Sequence, residues 1–247
     1  MGLSETEAIV LRTYNLAEAD KIVVCLTRDF GVIRGVAKGA RRLKSRFGAG
    51  LEPTTILSLS YFEKEGRELV SLRQVEIIHS HFKMVQDAEV VASMAYMSEL
   101  VMEFSPPGEP NEKVFRMVRA VLEALERSPE DLFAIIRYFE IWILKLSGFC
   151  PELRVCAQCG RKLLDAGLEL SVLDSGLCCG LCSCRSTQKI SNGAYRQLLH
   201  SRTLLPGEFA FAMKELSANQ KAEIASLIQY FIGRALERRP FSRTTLN

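Results

Sequence analysis

The sequence predicts an α+β protein, with a small five-stranded β-barrel at its N-terminus and helices after it that a cysteine-rich insertion interrupts. Three observations carry this expectation. Side chains alternate in character with a period of two through the first eighty residues. From about residue 87 the apolar period changes to three and four, the mark of amphipathic helices. Six of the eight cysteines fall between Cys156 and Cys184.

The strands come first. Ile22, Val24 and Leu26 alternate with Val23, Cys25 and Thr27, and Leu57, Leu59 and Tyr61 alternate with Ser58, Ser60 and Phe62. Successive strand side chains point to opposite faces, so this pattern describes half-buried strands. Five are expected, over about residues 6–14, 20–28, 31–38, 54–63 and 68–77, with turns at Asp29-Phe30-Gly31 and Lys64-Glu65-Gly66-Arg67. Five short strands suit a small barrel; periodicity alone leaves an OB-fold and an SH3-like barrel both open.

Helices follow. Val90, Met94, Met97, Val101 and Phe104 form one stripe, which stops at Ser105-Pro106-Pro107-Gly108. Val114, Phe115, Val118, Val121, Leu122 and Leu125 form a second. Ser128-Pro129-Glu130-Asp131 reads as the start of a third, with Leu132, Ile135, Ile136, Phe139, Ile143 and Leu146 inward and a stop at Gly148 and Pro151. Trp142 packs among these helices, and its indole N–H needs an acceptor. After the cysteines, Ser191 caps a short helix, and Ser217 to Gln220 match a capping box ahead of a longer one that Pro240 ends.

A chain of 247 residues, 48% hydrophobic, can bury one large core or two to three small ones, and its net charge of +3 says little by itself. The distribution of charge is more informative. Arg34, Lys38, Arg41, Arg42, Lys44 and Arg46 lie in a stretch with no acidic residue, joining the third and fourth strands. The small residues of this stretch allow close approach to a phosphate chain, and Phe47, Tyr61 and Phe62 offer stacking faces for unpaired bases. The tail adds Arg234, Arg238, Arg239 and Arg243 against Glu237. The opening residues carry glutamates where a secretory signal needs basic residues, and every apolar run is broken by charge too early to span a bilayer. A cytoplasmic, nucleoid-associated location with no membrane partner is expected.

A reducing compartment disfavours structural disulfides, so clustered cysteines there point to metal or redox chemistry. Cys25 and Cys150 read as structural. Cys156 and Cys159 form one C-x-x-C knuckle and Cys179 and Cys182 a second, nineteen residues apart, with Gly160 and Gly180 to ease the turns. Four thiolates complete a tetrahedral Zn2+ shell and leave no open position, which marks a structural ion. Cys178–Cys182 and Cys182–Cys184 are open alternatives for the second pair, but adjacent Cys178 and Cys179 cannot easily face the same ion, and the two-residue spacing favours Cys179 and Cys182, with Cys178 and Cys184 as spare thiols. A redox C-x-x-C would need a thioredoxin-like βαβ pattern, which is absent. No catalytic constellation emerges either: His79 and His81 share one parity at a strand end and are expected to be exposed, and His200 has no partner nucleophile.

At this point the residues resemble a known family, the bacterial recombination-repair mediator RecO. Ala8 to Arg12 with Glu18 to Val23, Thr27 to Gly31 with Val36 to Arg46, and Leu51 to Pro53 match its N-terminal pattern. Phe139-Glu140, Leu144, Gly148-Phe149, Pro151 and the Cys156 knuckle match the run into its metal segment. The resemblance implies an OB domain over residues 1–80, a helical domain over 81–150 and 191–247, and a zinc insertion over 151–190. It also implies a non-enzymatic DNA repair protein that binds single- and double-stranded DNA and anneals complementary strands. Its implied partners are RecR, single-strand-binding protein and, indirectly, RecA. The basic loop maps onto the family's DNA-contacting face. An RNA- or ribosome-binding zinc protein and a thiol oxidoreductase are the competing readings.

Overall fold

The computed structural model describes residues 2–63, 66, 68–163, 169–173, 176–182 and 188–237. The predicted turn at residues 64, 65 and 67, Ser175, Cys184, Pro240 and the tail arginines Arg238, Arg239 and Arg243 lie outside them. The chain divides into two compact units, residues 1–126 with 240–247 and residues 127–239.

The first unit holds β1 (Gly2–Leu16), β2 (Asp20–Thr27), β3 (Gly31–Ala37), β4 (Ile56–Glu63) and β5 (Val70–His79), close to the five expected spans. They form a closed barrel in the order β1-β2-β3-β5-β4. The long β1 pairs with both β2 and β4, and its register shifts between Val10 and Arg12. Every neighbour is antiparallel except β3 and β5, which meet in parallel at Gly35↔Val70 and Val36↔Ser71. This order is that of an OB-type barrel and decides between the two alternatives. Alternation places Ala8, Val10, Val23, Cys25, Leu57, Leu59, Tyr61 and Leu72 inside. Burial pushes the Cys25 thiol up to about 12, as fits an inert core residue.

The opposite face of β1 is also covered. Ile9 and Leu11 line a small gap with Met94, Met97 and Val101 of α1 (Ala88–Phe104) and with Val118 and Leu122 of α2 (Glu112–Arg127). The Asp87 carboxylate caps α1 by accepting from the N–H groups of Glu89 at 2.8 Å and Val90 at 3.2 Å. Both apolar stripes expected from the sequence are the buried faces of these helices.

The second unit is built from α3 (Leu132–Leu146), α4 (Asn192–His200), α5 (Pro206–Met213) and α6 (Ala218–Leu236), with a sheet of β6 (Glu169–Leu173), β7 (Gly176–Cys179) and β8 (Lys189–Ser191). Helix α3 packs on α5 and α6, and α4 packs on α6. Trp142 finds its acceptor in the Ser201 carbonyl, 2.9 Å away, and the Tyr138 hydroxyl donates to the Leu204 carbonyl at 3.2 Å. The Ser191 cap and the reciprocal Ser217–Gln220 capping box both form. Ser128 differs from expectation: a 3-10 turn over Pro129–Asp131 precedes α3, and the serine makes no side-chain cap. Helix α5 and the three-stranded sheet were not expected from the sequence.

Gly31 opens β3 with φ +68°, and a Cβ there would lie 2.2 Å from the Glu109 carbonyl oxygen. The β2–β3 hairpin therefore sits against the α1–α2 connection, where the Gly108 N–H donates to the Val32 carbonyl at 3.2 Å. Replacing Gly31 by alanine adds a left-handed backbone to a contact with main chain that cannot rotate away. The variant should lose about 2 kcal/mol or more in urea unfolding. A change below about 0.5 kcal/mol would show that this contact does not hold the turn.

Candidate metal centre and nucleic-acid interface

The two knuckles converge. In the first, Val155 and Lys162 pair across a narrow hairpin, the Cys156 N–H donates to the Arg161 carbonyl at 2.8 Å, and Gly160 turns the chain at φ +70°. In the second, the Cys182 N–H donates to the Cys179 carbonyl at 3.0 Å. The Ala157 N–H donates to the Leu177 carbonyl at 2.8 Å and ties one knuckle to the strand that carries the other.

The sulfurs of Cys156, Cys159, Cys179 and Cys182 all lie within 4.8 Å of one another. Measured separations are 3.6 Å for Cys179–Cys182, 3.7 Å for Cys159–Cys179 and 3.9 Å for Cys156–Cys182. A tetrahedron with metal–sulfur bonds of about 2.3 Å has edges of about 3.8 Å, so the donor set fits one four-coordinate ion. Cys178 does not belong to it. Adjacent residues of β7 project to opposite faces, and the Cys178 sulfur is held in a disulfide bond, which corrects the expectation that it is a spare thiol.

The electrostatics of the cluster call for a cation. Burial opposes ionisation of Cys156, but N–H groups of Cys179, Cys159 and Gln158 aimed at its sulfur prevail and bring it down to about 6. The Cys179 N–H contributes at 3.3 Å. Cys182 behaves in the opposite way. Hydrogen bonds with the Cys159 and Cys179 sulfurs, then burial, hold its proton up to about 12. Four negative sulfurs cannot share this space without a positive charge at their centre, which a metal ion could supply.

Arg34 lies on β3, and the other five basic residues occupy the connection from β3 to β4. Arg34, Lys38, Arg41, Arg42, Lys44 and Arg46 are all exposed, and none forms an ion pair among the described residues. The connection is a string of tight turns. The Arg42 N–H donates to the Gly39 carbonyl at 3.1 Å and the Ser45 N–H to the Arg42 carbonyl at 3.0 Å. Its start is pinned to the β1–β2 turn. The Asp20 carboxylate accepts from the Gly39 N–H at 2.7 Å, and the Arg41 guanidinium donates to the Ala17 carbonyl at 2.9 Å.

The aromatic residues are arranged differently from the sequence expectation. Phe47 is 2% exposed and inserts into the barrel core beside Leu51, so it offers no face to a base. The Arg46 guanidinium covers it, 5.0 Å from the ring centroid. Tyr61 is also interior. Phe62 is half-buried, with the Arg73 guanidinium 4.7 Å above its ring. The histidines bring a second correction. His81 is 1% exposed rather than a surface residue, and burial holds its pKa below the ordinary imidazole range. Alternation holds in β5 only at Val70 and Leu72, before a register shift, and the chain leaves the strand after His79 and turns His81 inward.

Among the described residues, no helix is long and apolar enough to cross a membrane. The family profile described as recombination protein O N terminal matches residues 1–81, and the one described as recombination protein O C terminal matches residues 85–244. A DNA repair protein RecO from Symbiobacterium thermophilum is 31% identical over all of this chain and 98% of its own length. One from Anaeromyxobacter dehalogenans is 29% identical over 98% of this chain and 96% of its own. Another, from Koribacter versatilis, is 36% identical over 71% of each. The closed five-stranded barrel, the helices after it and the four-cysteine cluster thus belong to a member of the recombination protein O family.

Proposed function

We propose that this chain is a non-enzymatic DNA repair and recombination mediator that binds single- and double-stranded DNA and anneals complementary strands. On this reading it acts in the cytoplasm at the nucleoid. Its partners are RecR and single-strand-binding protein, and through them it assists RecA loading. The observation that carries the proposal is the group of six exposed cations on β3 and the connection after it, none in an ion pair among the described residues, in a RecO family member. Arg34, Lys38, Arg41, Arg42, Lys44 and Arg46 would contact phosphates, and binding of this kind is independent of sequence because backbone charge alone is recognised.

The cysteine cluster has a separate role on the same reading. Cys156, Cys159, Cys179 and Cys182 hold one structural Zn2+, the borderline ion that best matches a closed tetrahedral thiolate site. Nothing is left open at that ion for substrate. Its contribution is to the folding of a segment whose small sheet has little core of its own.

Two tests follow from these assignments. With Arg41, Arg42 and Lys44 all changed to glutamate, single-stranded DNA binding by fluorescence anisotropy should weaken at least about tenfold. If about five phosphate contacts form in the native protein, log K against log salt has a slope of roughly −3.5, and removing three of them should flatten it by about 2. Unchanged affinity and annealing would sink the loop assignment, and equal loss for RNA with a preference for it would favour an RNA-binding role.

For the metal, elemental analysis should find one Zn2+ per chain at the cysteines. Cys156→Ser should lose it and cost roughly 3 kcal/mol or more, out of about 10–16 kcal/mol available from such sites. A Cys156→Ser protein as stable as the parent would remove the structural role.

A further inference from the structure

A second cluster of metal-ligating side chains lies outside the cysteine site and outside the basic loop. His79 ends β5, His81 follows two residues later, and Glu126 stands in the last turn of α2. The ligand atoms of all three lie within 4.8 Å of one another. His79 Nε2 is 2.7 Å from Glu126 Oε2, and His81 Nδ1 is 3.2 Å from the same oxygen. The two imidazoles meet edge to face, with ring centroids 4.5 Å apart.

His81 is the informative member. Its side chain is fully buried, Nδ1 reaches only the shared Glu126 oxygen at 3.2 Å, and Nε2 has no hydrogen-bond partner among the described residues. Buried polar groups are ordinarily satisfied, and one that is not calls for a ligand or an ion. His79 and Glu126 are partly exposed, so the cluster is open to solvent on one side and closed by His81 on the other.

From this geometry we propose that His79, His81 and Glu126 form a second site for a divalent first-row transition-metal ion, independent of the four cysteines. Two imidazole nitrogens and one carboxylate oxygen are the donor set that such ions accept, whereas Mg2+ and Ca2+ prefer oxygen alone. Three protein ligands leave at least one coordination position, and the exposed side of the cluster leaves it to solvent. The last turn of α2 ends beside Glu126, and the partial negative charge of that helix terminus favours a cation there. The ion would join the end of β5 to the end of α2 within one compact unit, from residues that no strand pairing connects.

The alternative is an ordinary imidazole–carboxylate hydrogen bond with no affinity for metal. Titration of the full chain, stripped of metal, with Co2+ separates the two, because thiolate-bound cobalt gives sulfur-to-metal charge-transfer absorption and a nitrogen–oxygen site does not. The native chain should take up two equivalents, one with thiolate absorption and one without. His79→Gln and Glu126→Gln should each take up one, with the thiolate absorption intact. His79 is the safer substitution because its side chain is 46% exposed, and circular dichroism checks that both variants remain folded. Uptake of a single equivalent by the native chain overturns the proposal. Two equivalents in both folded variants overturn it as well.

Discussion

The parallel contact of β3 with β5 closes the barrel, and the placement of the cationic loop depends on it. The pairing is short, with Gly35↔Val70 and Val36↔Ser71 as its register partners among the described residues. It exists because Gly35 has no side chain. A Cβ there would come within 2.5 Å of Leu72 Cδ2 and 3.0 Å of Val70 Cγ2, and Leu72 is locked in the core. Once the ring is closed, the end of β3 at Ala37 and the start of β4 at Ile56 are fixed points. The connection between them is held at its middle, where Phe47 and Leu51 fill the barrel interior. Hydrophobic burial anchors this stretch, and its charged residues are left to project into solvent. A loop tethered in this way keeps its cations together at lower entropic cost than a free chain of the same length.

The two candidate sites present the same electrostatic problem with opposite signs. Four sulfurs within 4.8 Å repel one another once ionised, and Cys182 keeps its proton chiefly through hydrogen bonds with the Cys159 and Cys179 sulfurs. The six cations on β3 and the connection after it also repel, but water screens them and they stand on exposed stems. Burial makes the difference. On the proposed reading the cysteine cluster would need its counter-ion in order to fold, whereas the loop could wait for a polyanion without cost to the barrel.

Much of this was legible in the sequence, for identifiable reasons. The strand spans could be read because one face of each fills the barrel, so alternation survives in Val23–Cys25 and Leu57–Leu59–Tyr61. The cysteine quartet could be read because a tetrahedral shell restricts spacing, and the alternation of β7 explains why Cys179 joins it and Cys178 does not. Other features had no local signal. Helix α5 is only eight residues long, too short to establish a period, and the strands beside the cysteines are three to five residues. Phe47 looked available for stacking because its neighbours are Arg46 and Gly48. Its inward direction is decided by a cavity built from strands distant in the sequence. His81 was misread because strand parity was extended past the point where β5 ends, into a turn that follows no such rule.

The burial of Phe47 also bears on how a mediator of the proposed kind would work. A protein that holds single strands by stacking bases on aromatic faces sequesters the surfaces through which those bases stack on their neighbours in a duplex. A protein that holds them by phosphate contacts alone leaves the pairing edges and faces free while neutralising the charge that keeps two strands apart. With Phe47 and Tyr61 committed to the barrel core and Arg73 lying over Phe62, the loop offers cations and very little aromatic surface. That composition disfavours tight sequestration and favours strand pairing. On that proposal the residue that looked like a binding group would serve binding indirectly, by fixing the connection that carries Arg41, Arg42 and Lys44.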